Sequence, residues 1–194
     1  MSGTYPASPI FKSVGFKSRH YNLSSETISG RTQVRNIGGQ RWEFSAAYSR
    51  LSRSEFAPVL AFIMSQRGMA EIFQIVLPEI SYKSGNASGT PRVNLVAGYA
   101  AGTTSIAIDG LTGTLKAGDL IKFANHSKVY LIIADRTGSG TLAFEPALRQ
   151  AVVNDELITY NAVPFSVRLD DDVQEYSLGS SSLLDYEVDF IEAV

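Results

Sequence analysis

Groups able to do acid–base or nucleophilic chemistry are few and dispersed in this 194-residue chain. Its two histidines, His20 and His126, stand in segments with no metal-ligand partner at close spacing, and a histidine without convergent partners reads as structural or surface. There is no cysteine, so a disulfide, a thiolate zinc site, an iron–sulfur cluster and a thiol nucleophile are all excluded. The patterns G-x-S-x-G, G-x-x-x-x-G-K-[ST], H-E-x-x-H and G-x-G-x-x-G do not occur, which removes most support for hydrolase and nucleotide-binding readings. Asp109, Asp119, Asp135 and Glu145 lie near strand ends, but a cell-wall hydrolase needs two carboxylates in one cleft with one pKa raised, and no spacing here specifies such a pair. Asp170, Asp171, Asp172 and Glu175 have the oxygen ligands a hard cation takes. They lack EF-hand spacing and its glycine, and read instead as a solvated acidic turn. Trp42, Tyr48, Tyr82 and Tyr99 allow a sugar-stacking platform, against the commoner role of strand aromatics as core. No catalytic, cofactor-binding or metal residue is assigned, and no cofactor is expected.

Charge is partitioned along the chain although the net is only −2. Residues 1–89 carry ten Lys plus Arg against five acids, residues 90–163 are balanced, and residues 164–194 carry one against eight. A basic N-terminal part is compatible with nucleic acid. Its cations, Lys12, Lys17, Arg19, Arg31, Arg35 and Arg41, are spread singly and fit no helix-turn-helix, RNA-recognition or zinc-finger pattern, so nucleic acid is not the expected partner. The asymmetry reads better as attraction between the two ends of the chain, within one subunit or across a subunit boundary. Arg31, Arg35 and Arg41, with Asp170, Asp171, Asp172 and Glu175, are the candidate interface charges.

These residues must be carried by a folded scaffold. With 44% hydrophobic and 19% charged residues the chain is far from the composition of disorder, and its length supports a core without staples. No apolar run approaches the roughly 20 residues a membrane-spanning helix needs. MSGTYPASPIFKS at the N-terminus has neither a basic n-region nor an apolar h-region, so no cleaved secretory signal is expected and synthesis is placed in the cytosol.

Near-alternation over Arg31–Ile37, the pair Gly38-Gly39, and Trp42, Phe44, Ala46 and Tyr48 on one face predict a β-hairpin. Phe56, Val59, Leu60, Ile63 and Met64 then recur at helical spacing, with Ser52 or Ser54 as N-cap, Glu55 beside it and Gly68 as the stop. Phe56, Leu60 and Ile63 are expected to face the core. Glu71–Leu77 reads as a buried strand. SYKSGNASGTPR, from Ser81, has loop composition and marks a boundary. Beyond it, five short apolar runs separated by turns, Thr104–Asp109, Asp119–Ala124, Lys128–Ala134, Gly140–Glu145 and Glu156–Tyr160, predict a small antiparallel sheet or barrel. The Ala117-Gly118-Asp119 turn carries a folding signal, Gly118 for its backbone freedom and Asp119 for a carboxylate that satisfies turn N–H groups. Two strands follow, Phe165–Leu169 and Leu183–Ile191. The expected fold is therefore mainly β. Residues 1–89 and 164–194 form a discontinuous β-sandwich or split barrel with one packed helix, and residues 90–163 an inserted small barrel-like domain.

RSEFAPVLAFIMSQRGMAEIFQIVLPE resembles the centre of the minor tail and distal tail proteins of tailed bacteriophages, in which a short amphipathic helix ends at a glycine before an aromatic-led strand and a proline. Here these are Gly68, Phe73 and Pro78. ISGRTQVRNIGGQRWEFSAAYS is similar to that family's basic, glycine-containing hairpin, and LDYEVDFIEAV to its terminal strand. The resemblance implies a structural, non-enzymatic virion protein. It would form a ring, expected to be hexameric, at the distal tail tip or baseplate, joining the tail tube to the hub or tip proteins. A carbohydrate-binding module on a virion is the alternative reading, with a cell-wall hydrolase a distant third. No membrane partner is expected.

Overall fold

Period-two patterning shapes most of the chain. In a computed structural model, which describes residues 3–178 and 183–194, the described residues are mainly β with one α-helix, the sheets forming a sandwich and a nearly closed, barrel-like sheet. The expected fold class is the observed one. The chain packs as two compact units: Ser8–Ala70 with Arg168–Glu192, and Met1–Ala7 with Glu71–Val167 and Ala193–Val194.

In the unit built from Ser8–Ala70 and Arg168–Glu192, the strand Arg41–Ala47 lies between Ser13–Arg19 and Leu184–Glu192, antiparallel to both. Alternation puts Trp42, Phe44 and Ala46 in the core with Tyr186, Val188 and Phe190. Asp185, Glu187 and Asp189 are left in solvent, as a strand buried on one face requires. The helix Arg53–Ser65 starts at Ser52, where the Glu55 carboxylate accepts the Ser52 N–H at 2.9 Å and its hydroxyl at 2.6 Å. The hydroxyl bond first, then the backbone bond, lowers the Glu55 pKa below the ordinary carboxylate value. Pro58 sits in the second turn, so the helix runs on without an N–H to the Ser54 carbonyl.

The buried stripe of this helix is Phe56, Val59 and Ile63. Leu60 is only half-buried and Met64 is 67% exposed, which corrects the expected core face. At ~100° per residue Val59 and Ile63 fall on one side of Phe56, and Met64 turns roughly 80° to the other. Gly68 is not the last helical residue; it opens a short 3₁₀ turn, Gly68–Ala70, at φ +66°. A Cβ there would overlap the Asp172 carboxylate, so this position requires glycine both for its backbone and for the close approach.

The expected pairing across Gly38-Gly39 does not form. Thr32–Asn36 pairs with Asn22–Glu26 instead, while Arg41–Ala47 takes the two sequence-distant partners named above. Both strands of the Asn22–Asn36 ladder are exposed on both faces.

In the other unit a six-stranded antiparallel sheet runs in the order Ile158–Thr159, Leu120–Phe123, Val129–Ile132, Gly140–Glu145, Ser105–Thr112, Ser88–Val93. Its first five members match the five apolar runs. Its core holds Ile106, Ile108, Phe123, Tyr130, Leu142 and Phe144, among others. Ser88–Val93 is a strand, which corrects the reading of all of Ser81–Arg92 as loop. The ladder shifts register between Gly89 and Arg92, and this bulge accommodates Pro91, whose missing N–H would break a regular ladder. In the same unit Phe73–Ile75 pairs antiparallel with residues 165–167 of the strand Phe165–Leu169.

Candidate functional site: an exposed basic arm and an acidic face

Asn22–Glu26 and Thr32–Asn36 form a two-stranded arm whose residues are all exposed. The turn closes by Thr27 N–H to Arg31 O at 3.0 Å and Gly30 N–H to Thr27 O at 2.8 Å. Leu23 faces Arg35 in the ladder, and Ile37 donates its N–H to Tyr21 O at 3.0 Å. One face of the arm therefore carries Tyr21, Leu23 and Ile37 beside Arg35. Leu23 is 60% exposed, Ile37 60%, and Val34, on the opposite face, 64%. Ile28, at the tip, is fully exposed. Arg31 leaves the turn, and Arg41 begins the central strand opposite Arg19.

The acidic residues occupy the connection between Phe165–Leu169 and Tyr176–Leu178. Asp171 and Glu175 join Glu187 and Asp189, from the Leu184–Glu192 strand, around a concavity of about 270 Å³. Glu187 and Asp189 were not among the expected interface charges; the alternation of the terminal strand was the signal that exposes them. Asp172 has a structural task as well, since its Oδ1 accepts the Met69 N–H at 2.9 Å, and Asp171 Oδ1 accepts the Val173 N–H at 3.0 Å. Asp170 donates its own N–H to Asp189 O at 3.0 Å. Ion pairs among the described residues include Arg19–Glu43, Arg92–Asp155 and Lys116–Asp135. None of these pairs joins Arg31, Arg35 or Arg41 to the acidic set.

The remaining chemistry-bearing residues have structural surroundings. His20 is exposed, with its Nε2 3.0 Å from Ser18 Oγ. Trp42 and Tyr48 are buried, whereas Tyr82 is 49% exposed, and Tyr99 is half-buried with its hydroxyl accepting the Ala107 N–H at 2.8 Å. Asp135 accepts the Ala117 N–H at 2.8 Å and pairs with Lys116 at 3.1 Å. The backbone bond first, then Lys116, lowers its pKa, the opposite of what a general acid needs. Among the described residues no three His, Asp or Glu side chains converge as a metal site, and no helix is long and apolar enough to cross a membrane.

His126 is 4% exposed, with Nδ1 2.9 Å from the Tyr130 hydroxyl. Burial lowers its pKa, against smaller raising effects of the Ala151 carbonyl and Glu156. The folded chain therefore holds this ring neutral while the unfolded chain takes up a proton below about pH 6.5. His126 should destabilise the fold as pH falls from that value through the lowered one, because the unfolded state then binds more protons. Thermal midpoints at pH 7.5 and 5.5 will show this loss, and it will shrink in His126→Asn. A slope unchanged by that substitution would assign the effect to other groups.

Residues 82–163 match the family model of the distal tail protein pb9 B domain. The chain is also 26% identical over 164 residues to the distal tail protein pb9 of Escherichia phage T5, covering 82% of this chain and 79% of the relative. These matches bear out the expected resemblance: the chain is similar to phage distal tail proteins over most of its length, and residues 82–163 are similar to their B domain.

Proposed function

We propose that this chain forms a closed ring at the distal end of the tail, expected to be hexameric, that joins the tail tube to the hub or tip proteins. The observation that carries this reading is the Asn22–Asn36 arm, exposed on both faces with Leu23, Ile28, Val34 and Ile37 in solvent. A lone two-stranded ladder is at best marginally stable in water, and its open edges and apolar side chains are what an assembly contact covers. Arm and acidic concavity are different surfaces of one subunit, and a contact between unlike surfaces of successive copies is heterologous, the type that closes into rings. Arg31, Arg35 and Arg41 facing Asp170, Asp171, Asp172 and Glu175 of the next copy set its register, since charge complementarity contributes specificity and association rate more than affinity.

In the same reading residues 90–163 are an inserted β domain carried by the ring, the partners are other tail proteins, and neither nucleic acid nor membrane takes part. The role is structural and non-catalytic, in a virion tail assembled from protein made in the host cytoplasm.

Exposed pairs contribute about 0–1 kcal/mol each, so single reversals leave the ring intact. Arg31→Glu, Arg35→Glu and Arg41→Glu together are expected to shift native mass from oligomer to monomer. Electron microscopy should show rings for the parent alone. An oligomer unaffected by the triple change, with DNA binding lost instead, would replace the ring contact with a nucleic-acid face.

A further inference from the structure

A cleft of about 430 Å³ opens within the unit that contains Glu71–Val167, a size typical of small-molecule sites at ~300–1,000 Å³. Two cross-strand pairs line it. Lys122 and Thr159 come from adjacent strands of the barrel-like sheet, and Gln74 and Ser166 from the Phe73–Ile75 and Phe165–Leu169 ladder. Asn125 and Gln150 also line the cleft, and Gln150 is exposed there. Lys122 is 8% exposed; its Nζ donates to Pro164 O at 2.9 Å and Ser166 Oγ at 3.1 Å. These bonds fix the amine at the junction of the two ladders.

The lining is chemically one-sided. It combines a lysine with amide and hydroxyl groups, and no Asp or Glu contributes to it. His126 also lines it. Phe123, the one aromatic of the benzyl, phenol or indole type on the wall, is fully buried, so there is no open ring face on which a neutral sugar would stack. We propose that this cleft binds a phosphate group, either free or carried as an ester on a larger polyol. A phosphate accepts several hydrogen bonds at once; the carboxamides and the hydroxyls supply donors for them, and the positive charge of Lys122 beside them favours an anion in a partly desolvated setting.

The full chain is titrated calorimetrically at low ionic strength with inorganic phosphate, glycerol phosphate and glycerol, beside Gln150→Glu. Both phosphates are expected to bind and glycerol not to. The new carboxylate at an exposed rim position, which leaves the Lys122 bonds in place, is expected to weaken phosphate at least about tenfold. Tighter binding of glycerol phosphate than of inorganic phosphate assigns the site to an ester on a polyol, and equal binding assigns it to the free anion. Glycerol binding as well as glycerol phosphate, no binding of either phosphate up to tens of millimolar, or a phosphate affinity unchanged in a folded Gln150→Glu variant would each overturn the proposal.

Discussion

Phe56→Ala is expected to destabilise the chain by about 3–5 kcal/mol, the range for deleting a fully buried phenyl ring and leaving a cavity that closes only in part. Phe56 is 1% exposed. Its ring centroid lies 5.6 Å from that of Tyr176 and 5.1 Å from that of Tyr186, both in tilted contact. Tyr186 is itself fixed, its hydroxyl donating to Gln174 Oε1 at 2.8 Å, and burial first, then Tyr48, raises its pKa. Tyr186, held by that bond, is thus poorly placed to collapse into the space. Met64→Ala, on the same helix but 67% exposed, serves as the control and should stay within about 0.5 kcal/mol. Urea unfolding of the two variants measures the difference. Equal effects would mean that the helix buries a different stripe.

Local patterning revealed those parts of the fold in which one face is buried. LDYEVDFIE alternates because Leu184, Tyr186, Val188 and Phe190 enter the core while Asp185, Glu187 and Asp189 do not. The helix was legible for a related reason, although five apolar residues at three- and four-residue spacing cannot all share one buried stripe. Three things were not legible. The arm has no buried face, so Asn22–Glu26 carries no apolar alternation. Arg41–Ala47 pairs with a strand beginning at Leu184, a partner that no local pattern specifies, whereas the glycine pair beside it suggested a nearby one. Ser88–Val93 contains Gly89 and Pro91, both strand breakers in a regular ladder, and only the bulge explains how they fit. The charges at issue for assembly were legible as solvent-exposed groups. That Glu187 and Asp189 share a concavity with Asp171 and Glu175 required the sheet register.

The turn at Ala117-Gly118-Asp119 leads to the second large effect. Gly118 has φ +98°, and Asp119 is 3% exposed. Asp119 Oδ2 accepts the Lys116 N–H at 2.8 Å, within the turn. Its Oδ1 accepts the Ser84 N–H at 2.8 Å and the Ser84 hydroxyl at 2.7 Å, so one carboxylate ties the turn to a segment 35 residues earlier in sequence. The Asp119 carbonyl also accepts the Ile132 N–H at 2.9 Å, which fixes this residue to the neighbouring strand. Hydrogen bonds to a charged acceptor contribute about 1.5–3 kcal/mol each. Ser84 and Lys116 are exposed residues, however, and water recovers part of the loss once the carboxylate is gone. Asp119→Ala is therefore expected to cost about 2–4 kcal/mol, less than three full bonds. Asp119→Asn retains one oxygen acceptor for Ser84 but turns an NH₂ group toward the Lys116 N–H, and should recover only part of that cost. Denaturant unfolding with amide exchange at Ser84 and Lys116 distinguishes this staple from general packing, because both amides should lose protection even where the barrel-like sheet keeps its own. A cost below about 0.5 kcal/mol for Asp119→Ala, the size of an ordinary surface change, would show that Gly118 and the strand pairing hold the turn without the carboxylate.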